Sequence, residues 1–237
     1  MNLYSYVLAV DDGAAPNPFG GVCTLTICKP MIRRTAQVGD WIVGLGSRNG
    51  PGGRDLSSHV IYAMKVSRKL PYADYWRECH ARLPMKIPVW SSTARLERRV
   101  GDCIYEPLSD GRFWQHAGVH KAGNYDGDVG GLNALLADEK FFYFGENPVE
   151  LPADLLGIRH PTQGHKVHLN DPYKHAAVEW MEGGFGLGRV PRTLYGQPMH
   201  RDLVRPGNDR ATWGACGCNR VESVEADCAD GCAEPPR

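Results

Sequence analysis

The sequence lacks several features that would assign it to a specialised class of protein. No apolar run is long enough to span a bilayer as a helix, so a membrane-spanning protein is not predicted. Internal repeats and low-complexity blocks are absent, which argues against solenoid and fibrous architectures. The first ten residues lack the basic start of a secretory signal and have the pattern of a strand, so we expect a cytoplasmic protein.

Cysteine spacing typical of a secreted disulfide framework is also missing. The chain has 8 cysteines, and without an export signal we expect reduced thiols. No C-x-x-C pair occurs, although Cys216, Cys218, Cys228 and Cys232 could supply four thiolates to zinc. The loop between these pairs is acidic, and a tail with reactive thiols is the alternative. Apart from this weak zinc candidate, the sequence indicates no metal or other cofactor.

Net charge is lacking too, because 27 Lys and Arg balance 27 Asp and Glu. Between Lys29 and Arg99, however, 14 residues are basic and 5 are acidic. The aromatic residues of this basic stretch are Trp41, Tyr62, Tyr72, Tyr75, Trp76 and Trp90. Cations beside aromatic faces are typical of nucleic-acid binding, because they neutralise phosphates and stack on bases. The alternative is that the cations lie on a solvated surface while the aromatics fill the core.

Gly and Pro are abundant, at 28 and 17 residues, and predict short elements joined by turns. Apolar patterning predicts strands at residues 4–10, 22–27, 41–45, 59–67, 103–106 and 140–144, and helices at 71–81, 132–136 and 172–181. This pattern favours an α+β domain around a curved, mainly antiparallel sheet with two to three short helices. Because apolar periodicity ends near Gly196, we expect one domain over 1–195 and a loosely ordered tail over 196–237.

The segment between residues 24 and 44 is the most informative for function. It contains Cys28, Lys29, Arg33, Arg34, Asp40 and Trp41. Lys and Arg that follow a strand are suited to bind an anion such as phosphate. Cys28 could be an activated nucleophile, because the neighbouring cation favours its thiolate. A buried strand cysteine is the alternative, since no general base can be located from the sequence.

Other polar residues are less specific. Asn17 lies between two prolines, where its amide could read a base edge or satisfy loop backbone groups. The histidine pair His116 and His120 could share a helix face, and His160, His165 and His168 are spaced like metal ligands. Neither set comes with the glutamate of a zinc-binding helix, so we interpret these histidines as surface or loop residues.

Several of these motifs together resemble a known family. They are Ala15-Pro16-Asn17-Pro18-Phe19, Cys28-Lys29-Pro30, Ile32-Arg33, Gly39-Asp40-Trp41-Ile42-Val43-Gly44 and Phe142-Tyr143-Phe144-Gly145. As a set they are similar to the nucleotide modification associated domain, second type, over about residues 1–192. The order of Lys, Arg and Gly-Asp also resembles the wider PUA-like superfamily with its ASCH and EVE branches. The resemblance implies a PUA-like pseudo-barrel that holds a base, often a modified one, and a role in DNA base modification.

One departure from this resemblance bears on catalysis. ASCH-type amidohydrolases have a Lys, a Glu three positions later and an Arg five positions later, whereas this chain has Lys29, Ile32 and Arg34. Because the carboxylate is missing, that acid–base pair is not available.

The sequence therefore leaves three functions open. We favour a binding module for a nucleic acid or nucleotide, in which Lys29, Arg33 and Arg34 meet phosphates and a base lies near Trp41 and Asn17. The alternative is a hydrolase or transferase acting on a modified base or nucleotide precursor, with Cys28, Lys29 or Asp40 taking part. A structural or interaction role is the third possibility.

Overall fold

The computed structural model of the protein describes residues 1–160 and 164–205. Its strands are β1 (Leu3–Val7), β2 (Cys23–Leu25), β3 (Trp41–Leu45), β4 (His59–Lys65), β5 (Arg68–Pro71), β6 (Tyr105–Pro107), β7 (Phe113–Gln115), β8 (Asn133–Ala137), β9 (Phe141–Tyr143), β10 (Val149–Glu150), β11 (His165–Lys166) and β12 (Thr193–Leu194). Its α-helices are α1 (Pro30–Thr35), α2 (Tyr72–Arg82), α3 (Leu96–Arg99), α4 (Tyr125–Val129) and α5 (Lys174–Glu182). The α+β class is confirmed, with more short helices than expected.

The strands form three sheets in the described part of the chain. The largest has the order β11-β1-β3-β4-β9-β12, with β10 paired to β4. The second is β2-β8-β5, and β6 and β7 form a hairpin. Only β1–β3 and β9–β12 are parallel among the described pairs, so the expected mainly antiparallel pairing is confirmed. The path of the large sheet ends at β11 and β12, so these strands do not close into a barrel.

Strand β8 corrects one sequence expectation. Residues 132–136 were expected to form a helix, but residues 133–137 form the central strand of the second sheet. This strand pairs with β2 on one side and β5 on the other, and residues 134–137 are buried. A continuous apolar run of this length is compatible with a buried helix or a buried strand, and the pairing on both sides decides for the strand.

Two apolar clusters cover the two faces of the large sheet. Alternation along β1 directs Leu3 to the cluster that also contains Trp41 and buried residues of α5. Tyr4 and Tyr6 point to the opposite face, into the cluster that contains Cys28 and residues of the second sheet. The segment that precedes α1 is therefore packed against the tyrosine face of β1.

The packed part of the chain extends beyond the expected boundary at residue 195. The backbone N–H groups of Met199 and His200 donate hydrogen bonds to Asp11, and Val204 is 1% exposed. Residues 197–204 thus pack against the core, while the cysteines at 216, 218, 228 and 232 lie outside the described residues. In the described ranges, no helix combines the length and the apolar character needed to cross a membrane.

Candidate active site

A sharp turn between β2 and α1 carries Cys28. Cys28 and Lys29 both have left-handed backbone conformations, with φ of 57° and 44°. Such conformations cost about 1–3 kcal/mol each in residues other than glycine, and they concentrate at functional sites. Pro30 then begins α1, because its fixed φ suits the first helical position. The turn orients the Cys28 side chain toward the loop that contains His120.

Cys28 forms a triad with His120 and Asp128. Its Sγ lies 3.1 Å from Nε2 of His120, and Nδ1 of His120 lies 2.5 Å from Oδ2 of Asp128. The three residues are 4%, 6% and 2% exposed, so their interactions are largely shielded from bulk water. Because Asp128 accepts a hydrogen bond from Nδ1, Nε2 is the nitrogen left to take the thiol proton. A thiol, an imidazole and a carboxylate are thus in contact, in the order that nucleophilic catalysis uses.

Asp128 also organises the surrounding backbone. Its Oδ1 accepts a hydrogen bond from the Cys28 N–H at 2.7 Å, and its Oδ2 accepts one from the Tyr105 hydroxyl at 2.8 Å. Burial, followed by the charge of Asp128, raises the pKa of Tyr105, so the hydroxyl stays protonated and remains a donor. Asp128 therefore fixes the strained turn at Cys28 and the ring of His120 at the same time.

Arg33 links the backbone at Cys28 to the backbone at Asp128. Its Nε donates to the Cys28 carbonyl at 2.6 Å, and Nη2 donates to the Asp128 carbonyl at 2.7 Å. Nη1 donates to the Tyr72 hydroxyl and the Asn133 carbonyl. The guanidinium is fully buried, and it fits because residue 131 is a glycine, where a Cβ would lie 2.2 Å from Cζ of Arg33.

Lys29 lies at the edge of this site. Its Nζ is 4.5 Å from the ring centroid of Tyr6 and 3.5 Å from the Val7 carbonyl oxygen. Lys29 is partly exposed, unlike its neighbours Cys28 and Arg33. The structure thus brings Cys28, Lys29 and Arg33 together, but it gives Arg33 a structural position and leaves only Lys29 accessible to a ligand.

The other expected binding residues lie elsewhere. Trp41 is 0% exposed in the cluster on the opposite face of the sheet, so its ring has no face for a base. Asn17 is also 0% exposed, and its amide donates to Val100 and accepts from Lys86. Asp40 accepts hydrogen bonds from the backbone of Asn2 and Gln37 and closes a turn. Asn17 and Asp40 thus hydrogen-bond backbone groups of the protein, and the Trp41 ring fills the core.

A cavity lies beside the Gly39 turn, and the expected phosphate- and base-binding residues do not line it. It has a volume of about 310 Å³ and is lined by Val38, Gly39, Lys65, Val66, Ser67, Glu139 and Lys140. Lys29 and Trp41 do not line it. Lys65 and Lys140 both pair with Glu182, so the positive charge at this cavity is partly neutralised.

Burial divides the aromatic residues of the basic stretch. Trp41, Tyr62, Tyr72 and Tyr75 are buried. Trp76 and Trp90 are partly exposed. Trp76 stacks on His116 with 5.2 Å between ring centroids, and Lys121 Nζ lies 5.4 Å from the Trp90 ring. The four buried aromatic residues fill the core, as the alternative interpretation of the basic stretch expects. Of the six rings, only those of Trp76 and Trp90 could stack on a base.

Sequence reasoning missed His120 and Asp128. His120 was interpreted as a surface or loop histidine, whereas it is 6% exposed and contacts a residue 92 positions earlier. The only available signal was the order of a Cys, a His and an Asp along the chain, which by itself is common. The zinc candidates fall outside the described residues, and among the residues described no cluster of three His, Cys, Asp or Glu is suited to hold a metal.

Comparison with known proteins adds a family to this geometry. The family model described as nucleotide modification associated domain 2 matches residues 1–202. The match includes Cys28, His120 and Asp128, and it extends past residue 195 to residue 202. No curated protein and no solved structure matches the chain.

Proposed function

The chain belongs to the nucleotide modification associated domain 2 family, and we propose that it is a cysteine-dependent hydrolase or transferase that acts on a modified base or nucleotide precursor. The observation that carries this proposal is the contact between Cys28 and His120 at 3.1 Å, with Asp128 on the other ring nitrogen. A thiol, an imidazole and a carboxylate in this order suit acyl transfer, in which the nucleophile must lose and the leaving group must gain a proton.

The proposed reaction has two half-reactions. First, His120 Nε2 takes the thiol proton while Cys28 Sγ attacks the carbonyl carbon of an acyl group carried by the substrate. The bond from that carbon to the leaving nitrogen or oxygen then breaks, and the leaving atom takes the proton from His120. A thioester on Cys28 remains. Second, water or an acceptor amine attacks the thioester, gives its proton to His120, and releases the acid or the transferred product together with the thiol.

The contacts between Cys28, His120 and Asp128 favour this enzyme over the binding module. The expected binding module places Lys29, Arg33 and Arg34 at phosphates and a base near Trp41 and Asn17. Of these residues Arg33, Trp41 and Asn17 are 0% exposed, so only Lys29 and Arg34 remain accessible to a ligand. The missing ASCH glutamate no longer weighs against catalysis, because His120 supplies a base from a distant part of the chain. Strain at residues 28 and 29 supports the same conclusion, since such strain must be stabilised by the surrounding structure.

The partner and the superfamily are part of the proposal. The family name supports a nucleotide or nucleic-acid substrate, and Trp90 with Lys121 supplies one partly exposed aromatic face beside a cation. A PUA-like relationship remains an inference from the motif order around Lys29 and Asp40. We expect that relationship to be visible in an alignment of the large sheet with PUA-like sheets.

Selective alkylation tests the triad without knowledge of the substrate. With iodoacetamide at neutral pH, we expect Cys28 to react faster than Cys79, which is buried and outside the triad. Replacing the base in His120→Gln should slow the alkylation of Cys28 and leave Cys79 unchanged. Peptide mass spectrometry measures both sites in the same sample. Equal rates for Cys28 in the wild type and in His120→Gln would refute activation by His120.

Turnover then tests the reaction class. The wild type is incubated with deoxynucleoside 5′-monophosphates acylated on the exocyclic amine, and products are separated by liquid chromatography with mass detection. We expect deacylated nucleotide and an acyl adduct on Cys28, both lost in Cys28→Ala and retained in the control Cys79→Ala. Turnover that persists in Cys28→Ala would contradict the nucleophile assignment.

A further inference from the structure

Two basic side chains, Lys29 and His165, lie near the edge of the large sheet, and Lys29 directly follows Cys28. Lys29 reaches across the Tyr6 ring with its Nζ 4.5 Å from the centroid. Its nearest described polar partner is the Val7 carbonyl oxygen at 3.5 Å, which is a long and weak hydrogen bond. None of the ion pairs in the described ranges involves Lys29. The cation is therefore held in position by aromatic and carbonyl dipoles rather than by a carboxylate.

Strand pairing brings a second basic group to the same place. His165 begins β11 and lies opposite Tyr6 in the antiparallel ladder with β1. Its ring centroid is 5.9 Å from that of Tyr4, which lies two residues before Tyr6 on the same face. His165 is partly exposed, whereas Tyr4 and Tyr6 are buried. Lys29 and His165 thus lie against the neighbouring rings of Tyr6 and Tyr4, and both side chains are partly exposed.

The charged groups that act on His165 are basic. Burial is the main factor that lowers the pKa of His165, and the charges of His160 and Lys29 lower it further. No ion pair with a described carboxylate offsets these contributions at His165. Protonation of His165 would bring a second positive charge near Lys29, and an anion bound between the two side chains would offset their repulsion.

We propose that Lys29 and His165 form a phosphate-binding subsite beside Cys28, so that the substrate carries a phosphate and is a nucleotide unit rather than a base alone. The link to catalysis rests on the proposed function, whereas binding of phosphate at this edge does not. Lys supplies a point charge with three donors, and imidazole supplies a donor that becomes charged when an anion is present. Because Lys29 follows Cys28 directly, a phosphate held there would place the rest of the nucleotide next to the thiol.

Binding is measured in Cys28→Ala, so that no turnover interferes. Isothermal titration with inorganic phosphate, with the four deoxynucleoside 5′-monophosphates and with the matching nucleosides separates phosphate from base recognition. We expect at least one monophosphate to bind at least about tenfold more tightly than its nucleoside, as a charged hydrogen bond can provide. Lys29→Gln and His165→Gln should each weaken phosphate and monophosphate binding by about tenfold or more. The control Lys140→Gln removes a cation at the other cavity and should have little effect.

The source of the phosphate is distinguished by a single-stranded 12-nucleotide DNA without terminal phosphates. Binding of this DNA that depends on Lys29 indicates phosphates within a strand, and binding of monophosphates alone indicates a nucleotide pool. Either result supports the subsite. Nucleosides that bind as tightly as monophosphates, or an equal loss in Lys140→Gln and Lys29→Gln, would overturn it. Phosphate binding without Cys28 reactivity would refute the proposed function but leave the subsite intact.

Discussion

Replacing Arg33 by methionine should destabilise the protein strongly, although an arginine on a six-residue helix could be taken for a surface cation. The side chain is fully buried and donates hydrogen bonds to Cys28, Asp128, Tyr72 and Asn133. Methionine has a similar length but no donor, so these acceptors would lose their partner inside the core. Nη2 of Arg33 also lies 3.9 Å from the Asp128 carboxylate, whose buried charge would lose its cation.

The expected size follows from these contacts. Removing one partner of a buried charged pair costs about 3–5 kcal/mol, and for a chain of this length 1 kcal/mol shifts the melting temperature by about 2–4 °C. A decrease of about 10 °C is therefore expected for Arg33→Met. The neighbouring Arg34→Met is the matched control, because Arg34 is exposed on the same helix and should change the melting temperature by no more than about 2 °C.

Calorimetry and circular dichroism measure the two variants side by side, and alkylation of Cys28 by iodoacetamide reports on the site. Loss of Arg33 should slow that alkylation at a temperature where the variant is still folded, because Arg33 holds the carbonyl groups of both Cys28 and Asp128. Equal melting temperatures for the two variants would refute the structural position of Arg33. They would also restore Arg33 as a candidate ligand-binding residue.

Three further predictions concern Asp11, the segment after Tyr195 and the binding of single-stranded DNA. Burial raises the pKa of Asp11 to about 6, so the native state binds the carboxyl proton more tightly than the unfolded state does. The free energy of unfolding should therefore fall by about 3 kcal/mol as the pH rises from about 4 to 7. The free energy of unfolding of Asp11→Asn, measured with urea, should therefore rise relative to that of the wild type over this pH interval. A difference between the two that does not change with pH would contradict the prediction. Truncation after Tyr195 should lower the melting temperature by several degrees, because it removes buried Val204 and the Met199 bond to Asp11; an unchanged value would show that this segment contributes little. The affinity for single-stranded DNA should fall with salt concentration, with a slope of log K against log salt of about −0.7 for each phosphate contact. Trp90→Ala should weaken this binding, and binding that does not depend on salt would show that the basic stretch does not contact phosphates.

Local sequence determined much of the secondary structure. An apolar run at residues 41–45, between the Gly39-Asp40 turn and Gly46, is sufficient to predict β3. Alternation over residues 59–65 is sufficient to predict β4, because a strand with this period buries at least one face. Proline before α2 and glycine after α5 mark helix ends through their backbone preferences. The family resemblance, carried by short motifs in the same regions, was also readable from the sequence and is confirmed over residues 1–202.

Tertiary structure alone decided which residues are accessible. Arg33 and Arg34 are adjacent on a helix of six residues, which is too short for a periodic pattern to show that the first is buried and the second exposed. Trp41 stands at the start of a strand covered on both faces, so its aromatic ring fills the core instead of a pocket. Burial depends on what packs against an element, and that information lies in distant parts of the chain.

The triad shows the same limit most directly. Cys28 could be recognised as a candidate nucleophile from its neighbour Lys29, but its base is separated from it by 92 residues. His120 and Asp128 lie in and beside short helical turns whose sequence resembles many surface loops, and only the packing of α4 against α1 and the bond to Tyr105 place them at the thiol. Short motifs determined the turn that carries Cys28, whereas long-range packing decided that His120 contacts it, because contacts between distant segments leave no periodic trace in the sequence.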